Sequence, residues 1–205
     1  MNLRARIGGI GGIAFAILTM AALVIGSPAG GNYKASDITS YVASGHRAGV
    51  FVAAYLAVLA AVGLVCLLAS LRASAGAPGG DETTGSVFWG LGLAAAGAFA
   101  VGWSILLSMP LAYAFGGSTF SLPTAEIYAI TQAGNIVVFG ASGVLLGAAL
   151  ITLAAAGGTT LPPWMRWLTL AAGIIGLASI AFFPWFILLI WGLVAGIWLL
   201  ASKAA

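Results

Sequence analysis

From Ile7 to Gly26 the chain carries no charge, and runs of the same kind recur as far as Ala201. Each is long enough to cross a hydrocarbon core of about 30 Å, given a helical rise of about 1.5 Å per residue. Inside lipid, backbone N–H and C=O groups have no water to bond, so a crossing segment is a helix or part of a closed barrel. These runs do not alternate apolar and polar residues as barrel strands do, and the sequence therefore predicts helices. Charge agrees with that reading. Only 5% of the residues are charged, against about 25% in a soluble domain, which is too few to build a water-facing shell.

The runs lie at 7–26, 46–71, 87–115, 124–156, 164–182 and 185–201. Polar or Gly/Pro-rich stretches part them, and Pro110 should kink the third, freeing the carbonyl of Leu106. The residues from Trp164 to Lys203 would make one helix of about 60 Å, twice the core thickness. Phe183-Pro184-Trp185 is therefore read as an aromatic corner between two spans, with Trp185 in an interfacial belt beside Trp89, Trp164 and Trp167. The expected fold is all-α, a polytopic membrane helix bundle with six transmembrane helices. The first run also has the form of a secretory signal peptide, with Ser27-Pro28-Ala29 as its cleavage site; we read it as a retained helix. Between runs one and two, Ser36 is expected to cap a short interfacial helix with Asp37 in its first turn.

Basic residues set the orientation. With both ends inside, the inner side holds Arg4, Arg6, Arg72, Arg166 and Lys203, and the outer side Lys34 and Arg47; together these are the 7 basic residues of the chain. The expectation is N-in and C-in.

Several function classes have little to stand on. The formal net charge of +3 comes without a basic cluster, so a nucleic-acid partner is not expected. One His, one Cys and four carboxylates, well separated in sequence, offer no metal or haem ligand set, and no cofactor is expected. Gly140-Ala141-Ser142-Gly143 matches the GxSG of rhomboid proteases. Those enzymes pair the serine with a histidine on the sixth span. Here the lone histidine, His46, lies at the outer end of span two, and span six holds no base. Ser142 is expected to pack and to bond back to a carbonyl. The chain is not expected to be an enzyme.

The polar residues of interest fall in span four. Tyr128, Thr131, Gln132 and Asn135 recur at helical i, i+3, i+4, i+7 spacing, below Glu126 in the first turn. Such a face should turn inward. With Ser108 and Tyr113 of span three, and Ser104 and Tyr55 at comparable depth, it could line an outward-opening cleft that binds a ligand. The alternative is that Gln132 and Asn135 bond neighbouring helices and that Glu126 serves the helix dipole. His46 and Arg47 stand at the same outer surface, and Arg47 shares a helical face with Phe51 and Tyr55, where a cation–π contact is conceivable. Three GxxxG pairs, Gly8–Gly12, Gly143–Gly147 and Gly192–Gly196, point to close packing, within the bundle or between copies.

The last third, LPPWMRWLTLAAGIIGLASIAFFPWFILLIWGLVAGIWLL, resembles the C-terminal hairpin of small six-span bacterial integral membrane proteins of unknown function. EIYAITQAGN followed by GVLLGAAL is similar to the same group. The resemblance implies a six-helix bundle in a bacterial inner membrane. It implies no activity and carries no site residue. The function expected from all this is a non-catalytic accessory or packing subunit, in a membrane assembly or a homo-oligomer with lipid around it. The alternative is a small-molecule or lipid binder or transporter that uses the span-four face.

Overall fold

The computed structural model describes residues 3–28, 32–43, 47–75, 82–117, 120–156 and 161–202. His46, Asp81 and Lys203 lie outside them, and the side chain of Arg47 is likewise not described. Among the described residues the structure is a helical bundle without strands. Its helices are α1 (Leu3–Gly26), α2 (Ala35–Val42), α3 (Arg47–Ala75), α4 (Glu82–Phe115), α5 (Thr124–Asn135), α6 (Ser142–Ala155), α7 (Pro163–Leu177) and α8 (Phe186–Ala201). A π-helical segment, Ile136–Ala141, joins α5 to α6 into one continuous rod. Five helical stretches are long and apolar enough to cross a membrane: Leu3–Gly26, Ala48–Arg72, Glu82–Phe115, Thr124–Ala155 and Phe183–Ala201.

The rods pack closely because glycines let their backbones touch. A Cβ on Gly12 would lie 2.5 Å from the Gly192 carbonyl of α8, and one on Gly147 would lie 2.8 Å from the Gly173 carbonyl of α7. Without a hydrophobic force between helices in lipid, such close van der Waals contact is what holds them together. All three GxxxG pairs are used in this way inside the bundle. Gly8 lies by Leu199, so the start of α1 and the end of α8 share one end of the bundle. Ser70 Oγ donates to the Arg4 carbonyl at 2.8 Å, and the Arg72 guanidinium sits 5.4 Å from the Trp89 ring centroid at that same end. Arg166, whose Nε donates to the Ala154 carbonyl at 2.6 Å, is there too. Lys34 lies at the opposite end, before α2.

The corner between α7 and α8 differs from the expectation. Helix α7 stops at Leu177 after 15 residues, about 22 Å and short of a membrane core. Two 3-10 turns, Ser179–Ala181 and Phe183–Trp185, make the corner around Phe182, whose φ of 69 and ψ of -62 are strained for a bulky residue. Trp185 is not in an interfacial belt. It is 1% exposed, stacked on Phe99 at 6.0 Å and edge-on to Phe15 at 6.4 Å and Phe139 at 5.1 Å. Phe15 and Phe99 stand midway along α1 and α4. The corner is thus drawn to mid-height by its tryptophan, which gains four aromatic partners and a bond from Nε1 to Ser142 Oγ at 3.3 Å.

Helix α2 lies over the Lys34 end of the bundle, against α4 and α5, burying Ile38, Tyr41 and Val42 against Ile127. Ser36 does not cap it: the helix begins at Ala35, Lys34 holds the cap position, and Ser36 Oγ instead bonds Asp37 Oδ1 at 3.4 Å. Asp37 does stand in the first turn.

Candidate functional site

Pro110 sits inside α4 and has no N–H for the carbonyl of Leu106. Tyr41 supplies the missing donor. Its hydroxyl, from α2, donates to Leu106 O at 2.6 Å, with Tyr41 3% and Leu106 0% exposed. Burial pushes the Tyr41 phenol above its usual range, so the group stays a neutral donor. On the other side of Leu106, a Cβ at Gly134 would lie 2.6 Å from Leu106 N. The Leu106–Pro110 turn of α4 is therefore held between α2 and α5. The free carbonyl is legible from Pro110 alone; its partner, sixty-five residues away, is not.

The sequence candidates separate into three places. At the α2 end of the bundle, Glu126 is exposed in the first turn of α5. Beside it the Tyr128 ring meets Tyr33 edge-on at 5.3 Å, and Tyr33 Oη shares a 2.5 Å hydrogen bond with Thr124 Oγ1. Near Pro110, Ser108 Oγ donates back to Ile105 O at 2.7 Å. Tyr113 Oη accepts from Leu122 N at 2.9 Å, tying down the chain that leads into α5. Arg47 begins α3, and His46 falls outside the described residues; the ring of Phe51 is engaged by Phe115 at 5.6 Å.

Deeper, Gln132 and Asn135 come together. Asn135 Nδ2 donates to Gln132 Oε1 at 3.2 Å, while Gln132 Nε2 is buried and has no partner. Both residues line a recess of about 150 Å³ with Ile136, Phe139, Gly140, Ile180 and Phe182. The recess exists because the α7–α8 corner stops at mid-height and leaves the upper part of α5 uncovered. Ile136 and Ile180, 67% and 79% exposed, stand at its rim. Thr131 shares the polar face by spacing but is buried and bonds its own helix at Ile127 O, 2.8 Å away. The lining of this recess takes in Gln132 and Asn135 but not Glu126, Tyr128, Ser108 or Tyr113. Phe139, Gly140, Ile180 and Phe182 carried no local signal of membership. The π turn and the height of the corner bring them in, and neither has a sequence signature.

Ser142 Oγ donates to Val138 O four residues back and accepts from Trp185. That is a packing role in the wall of the core. Among the described residues, no three His, Cys, Asp or Glu side chains cluster closely enough to hold a metal ion.

The fold defines a class: a helical membrane protein built as a bundle of long apolar rods. Beyond the class, no family model matches the chain, and neither a curated protein nor a solved structure does.

Proposed function

We propose that the protein is a non-catalytic membrane subunit that docks against another transmembrane helix, of a partner or of a second copy, through α4. One observation carries this. Gly90 and Gly97 lie exposed with nothing within 4 Å of an added Cβ, and exposed Ala94 and Ser104 extend the same face. A glycine inside a helix costs about 1 kcal/mol relative to alanine. The bundle's own packing gives these two no return, whereas a second helix approaching closely does.

The topology proposed with it has both termini in the cytoplasm, since Arg4, Arg6, Arg72 and Arg166 gather at one end. Six helices are membrane-embedded. Four rods cross fully, and α7–α8 enter and leave from the cytoplasmic side as a hairpin that reaches mid-height. The membrane is taken to be a bacterial inner membrane, a reading supported by the resemblance of the last third.

Native mass after gentle extraction is the test. An assembly that loses its partner or second copy on Gly97→Leu, with the chain still folded, is the expected result. A lone monomer, unaffected by Gly97→Leu and carrying an activity of its own, refutes the reading.

A second reading, a binder of a small neutral molecule, is favoured by one observation: the unpartnered Gln132 Nε2 in the wall of the recess. A cavity of about 150 Å³ holds a benzene-sized ring, and no ionisable group lines this one. Gln132 is the sole glutamine of the chain. Side-chain amide resonances from glutamine-labelled protein therefore report on it alone. A saturable shift on adding a short-tailed quinone supports binding; an unchanged resonance removes the recess from the function.

A further inference from the structure

The cytoplasmic end proposed above holds a groove of about 500 Å³ where α6 ends and α7 begins. Its floor is apolar, made by Ala154, Leu161, Pro163 and Leu170, and Trp167 stands at its rim, 71% exposed. One charged residue lines it, Arg166. The arginine's Nε donates to Ala154 O at 2.6 Å, which fixes the guanidinium against the groove wall. That bond uses one of the several N–H groups the side chain offers. Among the described residues Arg166 makes no ion pair, and Asp37 and Glu126 belong to the opposite end of the bundle.

A fixed cation, unpaired among the described residues, beside an apolar trough matches one kind of molecule in the surroundings of a membrane helix. We infer that the groove binds an anionic phospholipid, with the phosphate on Arg166 and the upper acyl chain along Leu161 and Leu170. The guanidinium plane is suited to two phosphate oxygens at once. Trp167 has the amphipathic ring that sits at headgroup level. The cytoplasmic leaflet is also where anionic lipid draws basic residues. Free phosphate shares the head chemistry but gains nothing from the trough, so the lipid is the occupant assigned. The inference does not depend on the α4 docking face; it stands if the protein proves to be a monomer.

The test is native mass spectrometry of the full chain titrated with phosphatidylglycerol, phosphatidylcholine and inorganic phosphate. Phosphatidylglycerol should be retained over phosphatidylcholine, and Arg166→Gln should weaken that retention by about tenfold or more, the size of a lost charge-assisted contact. Arg72→Gln removes a cation at the same end but outside the groove and should leave retention unchanged. Since Arg166→Gln also removes a bond to Ala154, Leu170→Glu serves as a second variant that keeps the arginine and places a repelling charge in the trough; it too should lose the lipid. Equal loss in Arg72→Gln would mean general attraction to a basic surface and would overturn the site. Retention unchanged in both groove variants, or displacement of the lipid by inorganic phosphate, overturns it as well.

Discussion

Replacing Tyr41 by phenylalanine removes one oxygen atom and leaves the ring in place, yet it should cost more than a surface hydroxyl would. The carbonyl of Leu106 has already lost its helical donor to Pro110, and the Tyr41 hydroxyl at 2.6 Å is what satisfies it. Both groups are shut off from solvent, at 3% and 0% exposure. Without the hydroxyl, a buried acceptor goes unsatisfied, which costs about 1–3 kcal/mol. The same change should cost much less in a Pro110→Ala background, where residue 110 regains an N–H that can reach Leu106 O. A double-mutant cycle between the two positions should therefore show a coupling of about 1 kcal/mol. Reversible unfolding in mixed micelles, followed by tryptophan fluorescence, measures all four proteins. If Tyr41→Phe costs the same with and without Pro110, the hydroxyl is not replacing the proline's missing donor.

Three further outcomes follow from the packing. Gly12→Ala should destabilise the bundle by about 1–3 kcal/mol through overpacking, because its Cβ would press on the Gly192 carbonyl; Gly97→Ala should stabilise the isolated chain by up to about 1 kcal/mol, and equal effects of the two in the same unfolding assay would contradict the packing. Ser142→Ala should cost about 1 kcal/mol in thermal unfolding, since the Trp185 Nε1–H then loses its acceptor. For pH, the Tyr41 phenol is raised in the folded state by burial. Its contribution is therefore fully present below the unfolded value of about 10 and is lost as pH rises beyond that. A stability profile should fall above about pH 10, and the fall should be smaller in Tyr41→Phe.

Much of the site was out of reach of the sequence for a geometric reason. Gln132 and Asn135 are legible as a pair because helical spacing puts them on one face. What faces them is not. Ile180 and Phe182 come from a corner about forty-five residues later in the chain, and their height depends on where α7 ends. Helical period says nothing about that. It equally cannot separate Glu126, in the first turn of α5, and Tyr128, which finishes against Tyr33, from Gln132, which finishes in the recess. Tyr41 gave no sign of its role, because a lone tyrosine in a short amphipathic helix reads as an interfacial anchor.

What this sequence decides alone is the solvent. With 62% hydrophobic and 5% charged residues in runs of crossing length, only helices buried in a membrane satisfy both the side chains and the backbone. The positions of Pro110 and the arginines follow from the chain in the same direct way. The tertiary structure alone decides how far along the bundle each helix runs. Helix α7 closes on α6 through Gly143 and Gly147, and Trp185 at the corner packs against Phe15, Phe99 and Phe139 and bonds Ser142 midway along the bundle. Close contacts between distant segments set that extent, and with it the recess over the hairpin; a local pattern of hydrophobicity holds no record of them.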